Sequence, residues 1–259
     1  MKNQIKKAVF LALAMIAVLA CVTVAAHAAN VANESAMITA VNKGGTVKLT
    51  ADITLTDTLV IPAGKKVTLD LNGKVLDRGL TEPVEGGSVI RVEAGATLTV
   101  NDTTYRNTGV ITGGCAYRGG GICNFGTLTV NGGRIMNNQA KQAVDVTGYI
   151  GFTIPDAGIV QGEGGGIYNA ENASLTLQGG VITGNSARNG GGVCNAYGAD
   201  LTVRSGSHKE KQNGKDVTVA SDVTVTQNTA GEGDGVYSAG TMSVSGAPAL
   251  GGNTDSDDL

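Results

Sequence analysis

The sequence predicts an all-β coil in which each turn is built from three short strands. Three observations carry that expectation. First, a Gly-Gly-Gly-aliphatic-x-Asn stretch at residues 119–124 returns at 164–169 and 190–195, with a worn copy at 233–238. Second, each copy leads into the same sequel. A short apolar strand follows at 127–130, 174–177, 200–203 and 241–244. An aliphatic residue then stands three before an Asn: Ile135 and Asn138, Ile182 and Asn185, Val225 and Asn228, Leu250 and Asn253. Third, 40 Gly, 4 Pro, no Trp and 3% aromatic content do not suit a core of large rings, but do suit tight turns between short strands. Self-similarity at a fixed period means stacked units that cannot bury their apolar faces alone.

The elements follow in order. Lys2, Lys6 and Lys7 precede a nearly continuous apolar run from Val9 to Val24, and Ala26-His27-Ala28 is a small-x-small cleavage site. Residues 1–28 therefore read as a secretory leader. Val18-Leu19-Ala20-Cys21 also fits a lipobox, which would leave Cys21 lipidated, although the apolar run continues past it. A membrane-spanning anchor is disfavoured by the short run and the lack of following stop-transfer charges. Without this leader the chain carries 16 Lys and Arg against 22 Asp and Glu. That excess of acid leaves no basic nucleic-acid footprint and disfavours adsorption to anionic lipid.

Residues 34–41 form a weak amphipathic pattern, expected as a short helix covering the first coil and blocking edge pairing. Short alternating runs follow at 47–49, 53–55, 59–61 and 67–71, separated by turn signals such as Asn72-Gly73. Residues 88–114 form an atypical coil, and three repeats plus the worn fourth complete the coil domain at 29–254. Asp255, Asp257 and Asp258 end the chain as an acidic tail over 255–259. The repeat spacing is 26 residues from Gly164 to Gly190, 45 from Gly119 to Gly164 and 43 from Gly190 to Gly233. The longer spacings hold one turn plus an inserted loop, at 141–163 and 207–220. Inside the coil, Ile122, Ile167, Val193 and Val236 are expected in one column, and Leu128, Leu175, Leu201 and Met242 in a second. Ile135, Ile182, Val225 and Leu250 make the third.

These motifs resemble the paired repeats of chlamydial polymorphic outer membrane proteins. They resemble more closely the GGG[IV]-[YC]-N repeats of adhesin-like surface proteins in gut bacteria. The likeness covers residues 31–254. It departs where the chlamydial repeat has Phe and this chain has Ile135, Ile182, Val225 or Leu250, and it does not extend to an autotransporter barrel. The resemblance implies a right-handed parallel β-helix, the architecture shared with pectate lyases.

Asn124, Asn169 and Asn195 form a column ending at Ser238, which reads as an axial hydrogen-bond stack, with glycan binding as the rival reading. Asn138, Asn185 and Asn228 mark a second repeat position. Thr99, Thr129, Thr176 and Thr202, with Ser243, share one outward position. Thr97, Thr127, Ser174 and Thr241 share another, interrupted by Asp200. Such an array is similar to that of β-helical ice-binding proteins, although Thr is also simply favoured on exposed strands. Cys115, Cys123 and Cys194 read as apolar fillers. A Cys115–Cys123 bridge is conceivable, whereas Cys123 and Cys194, two turns or roughly 9–10 Å apart, are beyond disulfide reach. One His outside the leader and no CxxC pair exclude a metal cluster. The glycine runs open strands and lack a following Lys-Ser/Thr, so no phosphate-binding cofactor loop is expected. Asp145, Asp156, Glu163, Asp200, Asp216, Asp222 and Glu232 are scattered, and no acid–base pair is predicted. No catalytic, cofactor or metal residue is therefore assigned.

The functional expectation rests on this resemblance: an exported, secreted or surface-associated, non-enzymatic, adhesin-like protein contacting a glycan or a host or partner protein. The alternative is a polysaccharide lyase or glycoside hydrolase with a groove bordered by the two inserts. A lesser one is ice or crystal binding through the Thr array.

Overall fold

The computed structural model describes residues 28–104, 107–141, 162–204, 206–212 and 215–253. The chain winds as a parallel β-helix with three parallel sheets as its walls. A long sheet has eight strands: Ala29–Val31, Gly45–Leu49, Lys66–Asp70, Thr97–Asn101, Thr127–Val130, Ser174–Leu177, Asp200–Arg204 and Thr241–Ser245. A glycine sheet contains Leu59–Ile61, Ile90–Val92, Ile122–Asn124, Ile167–Asn169, Val193–Asn195 and Val236–Ser238. A return sheet contains Ile53–Thr54, Val75–Asp77, Val110–Thr112, Arg134–Met136, Gly180–Thr183 and Val223–Thr226. Spatial order equals chain order in all three, so every strand but the first and last of each sheet pairs with the coil before and the coil after.

The register matches the expected columns. Ile122 faces Ile90 and Ile167, and Ile167 faces Val193, which faces Val236. Leu128, Leu175, Leu201 and Met242 line up on the long sheet. Ile135, Ile182 and Val225 line up on the return sheet, and Leu250 packs against the core from the last turn. These side chains are fully buried except at the C-terminal end, where Val236, Met242 and Leu250 are half-covered. One continuous aliphatic core therefore runs the length of the coil, and no turn could form it alone.

Several strands go beyond the expected set, among them the parallel pair Cys115–Ala116 and Gln139–Ala140. Ala29–Val31 opens the long sheet, and Val75–Asp77 follows the Asn72-Gly73 turn, which closes with a Lys74 N–H to Leu71 C=O bond of 2.9 Å. Asn72 and Gly73 have φ of 48° and 71°, the backbone that an Asn-Gly pair adopts most readily. The N-terminal helix spans Glu34–Lys43. The Asn33 side chain caps it by accepting the Ala36 N–H at 2.9 Å, and Gly44, at φ 84°, ends it. Met37, Ala40 and Val41 are its buried face, packed on the first coil.

Each glycine triplet has a mechanical reason. The first residue has positive φ: 61° at Gly119, 67° at Gly164 and 65° at Gly190. The next two lie against the neighbouring coil. A Cβ on Gly165 would sit 2.5 Å from the Gly191 carbonyl oxygen, and one on Gly166 2.5 Å from that of Gly192. Backbone meets backbone there, so no side chain fits.

The insert at 207–220 was expected as a loop outside the coil. It does lie outside the three walls, but it is a regular antiparallel hairpin, Gly206–Gln212 paired with Lys215–Ser221. Alternating Val217, Val219 and Thr218 and the central Asn213-Gly214 suit a hairpin, and only its place in the repeat suggested otherwise. Of the insert at 141–163, residues 142–161 lie outside the described residues, as do residues 1–27, with Cys21, and the tail at 255–259.

Candidate ligand-binding faces

The walls of the coil differ sharply on their outer sides. On the long sheet the register puts Thr46, Thr68, Thr99, Thr129, Thr176, Thr202 and Ser243 in one unbroken column. The expected face of Thr99, Thr129, Thr176 and Thr202 is thus part of a longer one. Flanking it on one side run Lys66, Thr97, Thr127, Ser174, Asp200 and Thr241. On the other side stand Asn101, Asn131 and Gln178, where Asn131 donates to the Asn101 side-chain oxygen at 2.9 Å. Toward the N-terminal end that column becomes charged: Lys48 pairs with buried Asp70 at 3.1 Å, and Thr103 donates to the same carboxylate.

The glycine sheet carries a different set. Cys123 pairs in register with Tyr168, Tyr168 with Cys194, and Cys194 with Tyr237. Together with Ala170 and Ala173 they form a second apolar cluster outside the coil, against which Phe125, Ala196 and Tyr237 pack. The Arg91 guanidinium lies 4.6 Å from the Phe125 ring centre, and that of Arg118 5.3 Å from the Tyr168 ring. Arg91 is held by Glu93 at 2.7 Å, and Arg118 by Glu163 at 2.8 Å. Tyr197, 79% exposed, stands at the corner where this sheet turns into the long sheet, the corner that Phe125 also occupies. All five described aromatic residues, Tyr117, Phe125, Tyr168, Tyr197 and Tyr237, lie on or beside this one wall. The repeat pattern hides the row, because its members hold different repeat positions: one after Asn124, one before Asn169, two after Asn195.

The three cysteines among the described residues, Cys115, Cys123 and Cys194, are free and buried, so the Cys115–Cys123 bridge is not formed. Burial pushes the thiols of Cys123 and Cys194 up to about 12, and the Tyr168 phenol likewise to about 12. These groups act as neutral packing.

The asparagine positions form two ladders. The Asn124 amide donates to Asn169 at 2.7 Å, Asn169 to Asn195 at 2.8 Å, and Asn195 to the Ser238 hydroxyl at 3.0 Å. The second ladder was not foreseen as a stack. Asn138 donates to Asn185 at 3.1 Å, Asn185 to Asn228 at 3.0 Å and Asn228 to Asn253 at 3.2 Å. Asn124, Asn169, Asn195, Asn138, Asn185 and Asn228 are at most 1% exposed. Their amides are consumed by the coil itself, and the rival reading of a glycan-binding amide row fails.

The carboxylates are not drawn together. Glu163 is tied to Arg118, Glu232 is exposed two rungs along the same column beyond Asn189, Asp200 sits on the outer long sheet, and Asp222 is exposed beside the return sheet. Asp216 is in the hairpin, and Asp145 and Asp156 lie outside the described residues. Among the described residues no group of three or more His, Cys, Asp or Glu could hold a metal ion. Among them, too, no helix is long and apolar enough to cross a membrane. No family profile, curated protein or solved structure matches this chain.

Proposed function

We propose that this chain is an exported, adhesin-like binding protein, related in kind to the polymorphic outer membrane repeats, that contacts a glycan through the glycine sheet. One observation carries the reading. Phe125, Tyr197 and Tyr237 bring three exposed or half-covered aromatic rings to the same wall, around the buried ring of Tyr168, in a chain with nine aromatic residues in 259. Sugar rings present an apolar C–H face and a polar rim. A tyrosine or phenylalanine beside fixed polar groups complements both, because the ring supplies area while its neighbours supply hydrogen bonds. Arg91, Glu93, Arg118 and Glu163 are held in ion pairs next to these rings, so polar groups are already oriented there. A row parallel to the coil axis suits an extended oligosaccharide. The leader at residues 1–28 supports delivery outside the cytoplasm.

The test is a glycan array probed with the purified protein, followed by Tyr197→Ala. Tyr197 is almost free of packing, so the substitution should leave melting unchanged while binding weakens at least about tenfold. Retention of full affinity by both Tyr197→Ala and Phe125→Ala would refute the assignment.

A further inference from the structure

We infer that the glycan met by the glycine sheet is an acidic one, with Arg91 and Arg118 as the residues that take its carboxylates. The inference rests on the glycan reading above and names the class of sugar. Arg91 stands in the outward column of that wall, in register with Cys123, and Tyr168 is the next rung. Phe125 follows the strand Ile122–Asn124, and Arg118 precedes it. Arg91 leans on the Phe125 ring and Arg118 on the Tyr168 ring, so the two guanidinium groups flank the Cys123–Tyr168 strip from opposite ends of its strands. Burial dominates the Cys123 thiol, but both guanidinium groups lie close enough to oppose it.

Each guanidinium is oriented by two contacts. Nε donates to a glutamate, from Arg91 to Glu93 at 2.7 Å and from Arg118 to Glu163 at 2.8 Å, and the group sits over an aromatic ring. The terminal nitrogens make no hydrogen bond among the described residues, and the two side chains are 43% and 47% exposed. The end of each guanidinium is therefore a planar donor fork, held in place and left open. A carboxylate matches such a fork with two parallel hydrogen bonds. Much of the side-chain freedom that binding would remove is already given up. Among the described residues only these two arginines lie over rings. Arg134, on the return sheet, is exposed too, but its Nε donates to the Asn107 carbonyl and no ring lies beneath it.

The unpaired acids of this wall lie toward its other end. Glu171 lies against Gly198 in the turn that carries Tyr197, and Glu232 precedes Gly233, on which the Tyr237 side chain rests. The row is therefore polar along the coil axis, with cationic forks beside Phe125 and Tyr168 and carboxylates beside Tyr197 and Tyr237. An acidic sugar is accepted at the first end and repelled at the second, which orients the bound chain. The chain as a whole carries net negative charge, so attraction of a polyanion from a distance is absent and recognition depends on the forks at contact.

The experiment is binding of the purified protein to probes matched in all but charge. Lactose, sialyllactose and lactose sulfate test a terminal group: neutral, carboxylate or sulfate. Hyaluronan oligosaccharides and their carboxyl-reduced form test an acid within a chain. At least one carboxylate probe should bind about tenfold or more tightly than its neutral counterpart. Arg91→Gln/Arg118→Gln should erase that preference. Arg91→Lys/Arg118→Lys, which keeps the charge but not the fork, should erase most of it, and Arg134→Gln none. Melting curves identify any variant that fails to fold; if the Gln pair does, the Lys pair decides. A preference for acid that survives the double variants overturns the inference, as does a sulfated probe bound more tightly than both carboxylate probes. Equal binding of acidic and neutral probes, weakened by Tyr197→Ala, refutes the inference and leaves the aromatic row standing. No glycan bound on the array refutes both.

Discussion

Asn185→Leu should be among the most damaging single changes in the coil, although it swaps a polar side chain for an apolar one of similar size. The Asn185 side chain makes four hydrogen bonds while 1% exposed. Its oxygen accepts the Asn138 backbone N–H at 3.0 Å and the Asn138 amide at 3.1 Å. Its amide donates to the Ile135 carbonyl at 2.9 Å and to Asn228 at 3.0 Å. Removing it strips partners from two backbone groups that cannot reach water. A buried polar group left unpaired costs about 1–3 kcal/mol, so two give about 2–6 kcal/mol, against roughly 1–2 kcal/mol regained from the added apolar surface. Taking the midpoints, about 4 against about 1.5 kcal/mol, the net loss is about 2.5 kcal/mol. Urea denaturation followed by circular dichroism measures it. Asn253→Leu, at the half-covered end of the same ladder, should cost less. If Asn185→Leu unfolds within about 0.5 kcal/mol of the parent, as exposed substitutions do, the ladder is ornamental and the reasoning fails.

Removing residues 207–220 should leave the coil intact, because the hairpin pairs with itself and with none of the three walls; loss of the strand signal in circular dichroism would place it inside the coil. High pH should destabilise the protein. Folding raises the thiols of Cys123 and Cys194 from an ordinary value near 9 to about 12. Their contribution is full below about pH 9 and is lost as pH rises toward 12, since only the unfolded chain ionises them readily. Melting temperature should fall across that interval, and Cys123→Ala/Cys194→Ala should flatten the slope; an unchanged slope would show that other groups govern it.

Much of the fold was legible because the residues that define it recur in fixed phase. Glycines, aliphatics and asparagines repeat at the same offsets, and stacking turns identical offsets into columns. What was hidden lacks that property. Thr46 and Thr68 extend the hydroxyl column from coils without the glycine triplet, so no repeat alignment reaches them. Val75–Asp77 is a strand fixed by pairing with Val110–Thr112 rather than by its own short sequence. The aromatic row is assembled across corners from residues at unequal offsets. The second asparagine ladder was visible as a recurrence, but its bonding depends on a turn geometry that spacing does not give.

The glycine contacts between coils have a consequence for how such a molecule can change length. Gly165 and Gly166 meet Gly191 and Gly192 just as Gly120 and Gly121 meet Gly165 and Gly166, backbone on backbone. The 26-residue turn beginning at Gly164 therefore ends on the same joint with which it begins. Whole turns can be gained or lost by duplication without creating a new kind of interface, each lengthening the coil by one rung of ~4.8 Å. Every added turn also lengthens each outer wall by one row, so the extent of those walls is set by copy number rather than by refining any single contact.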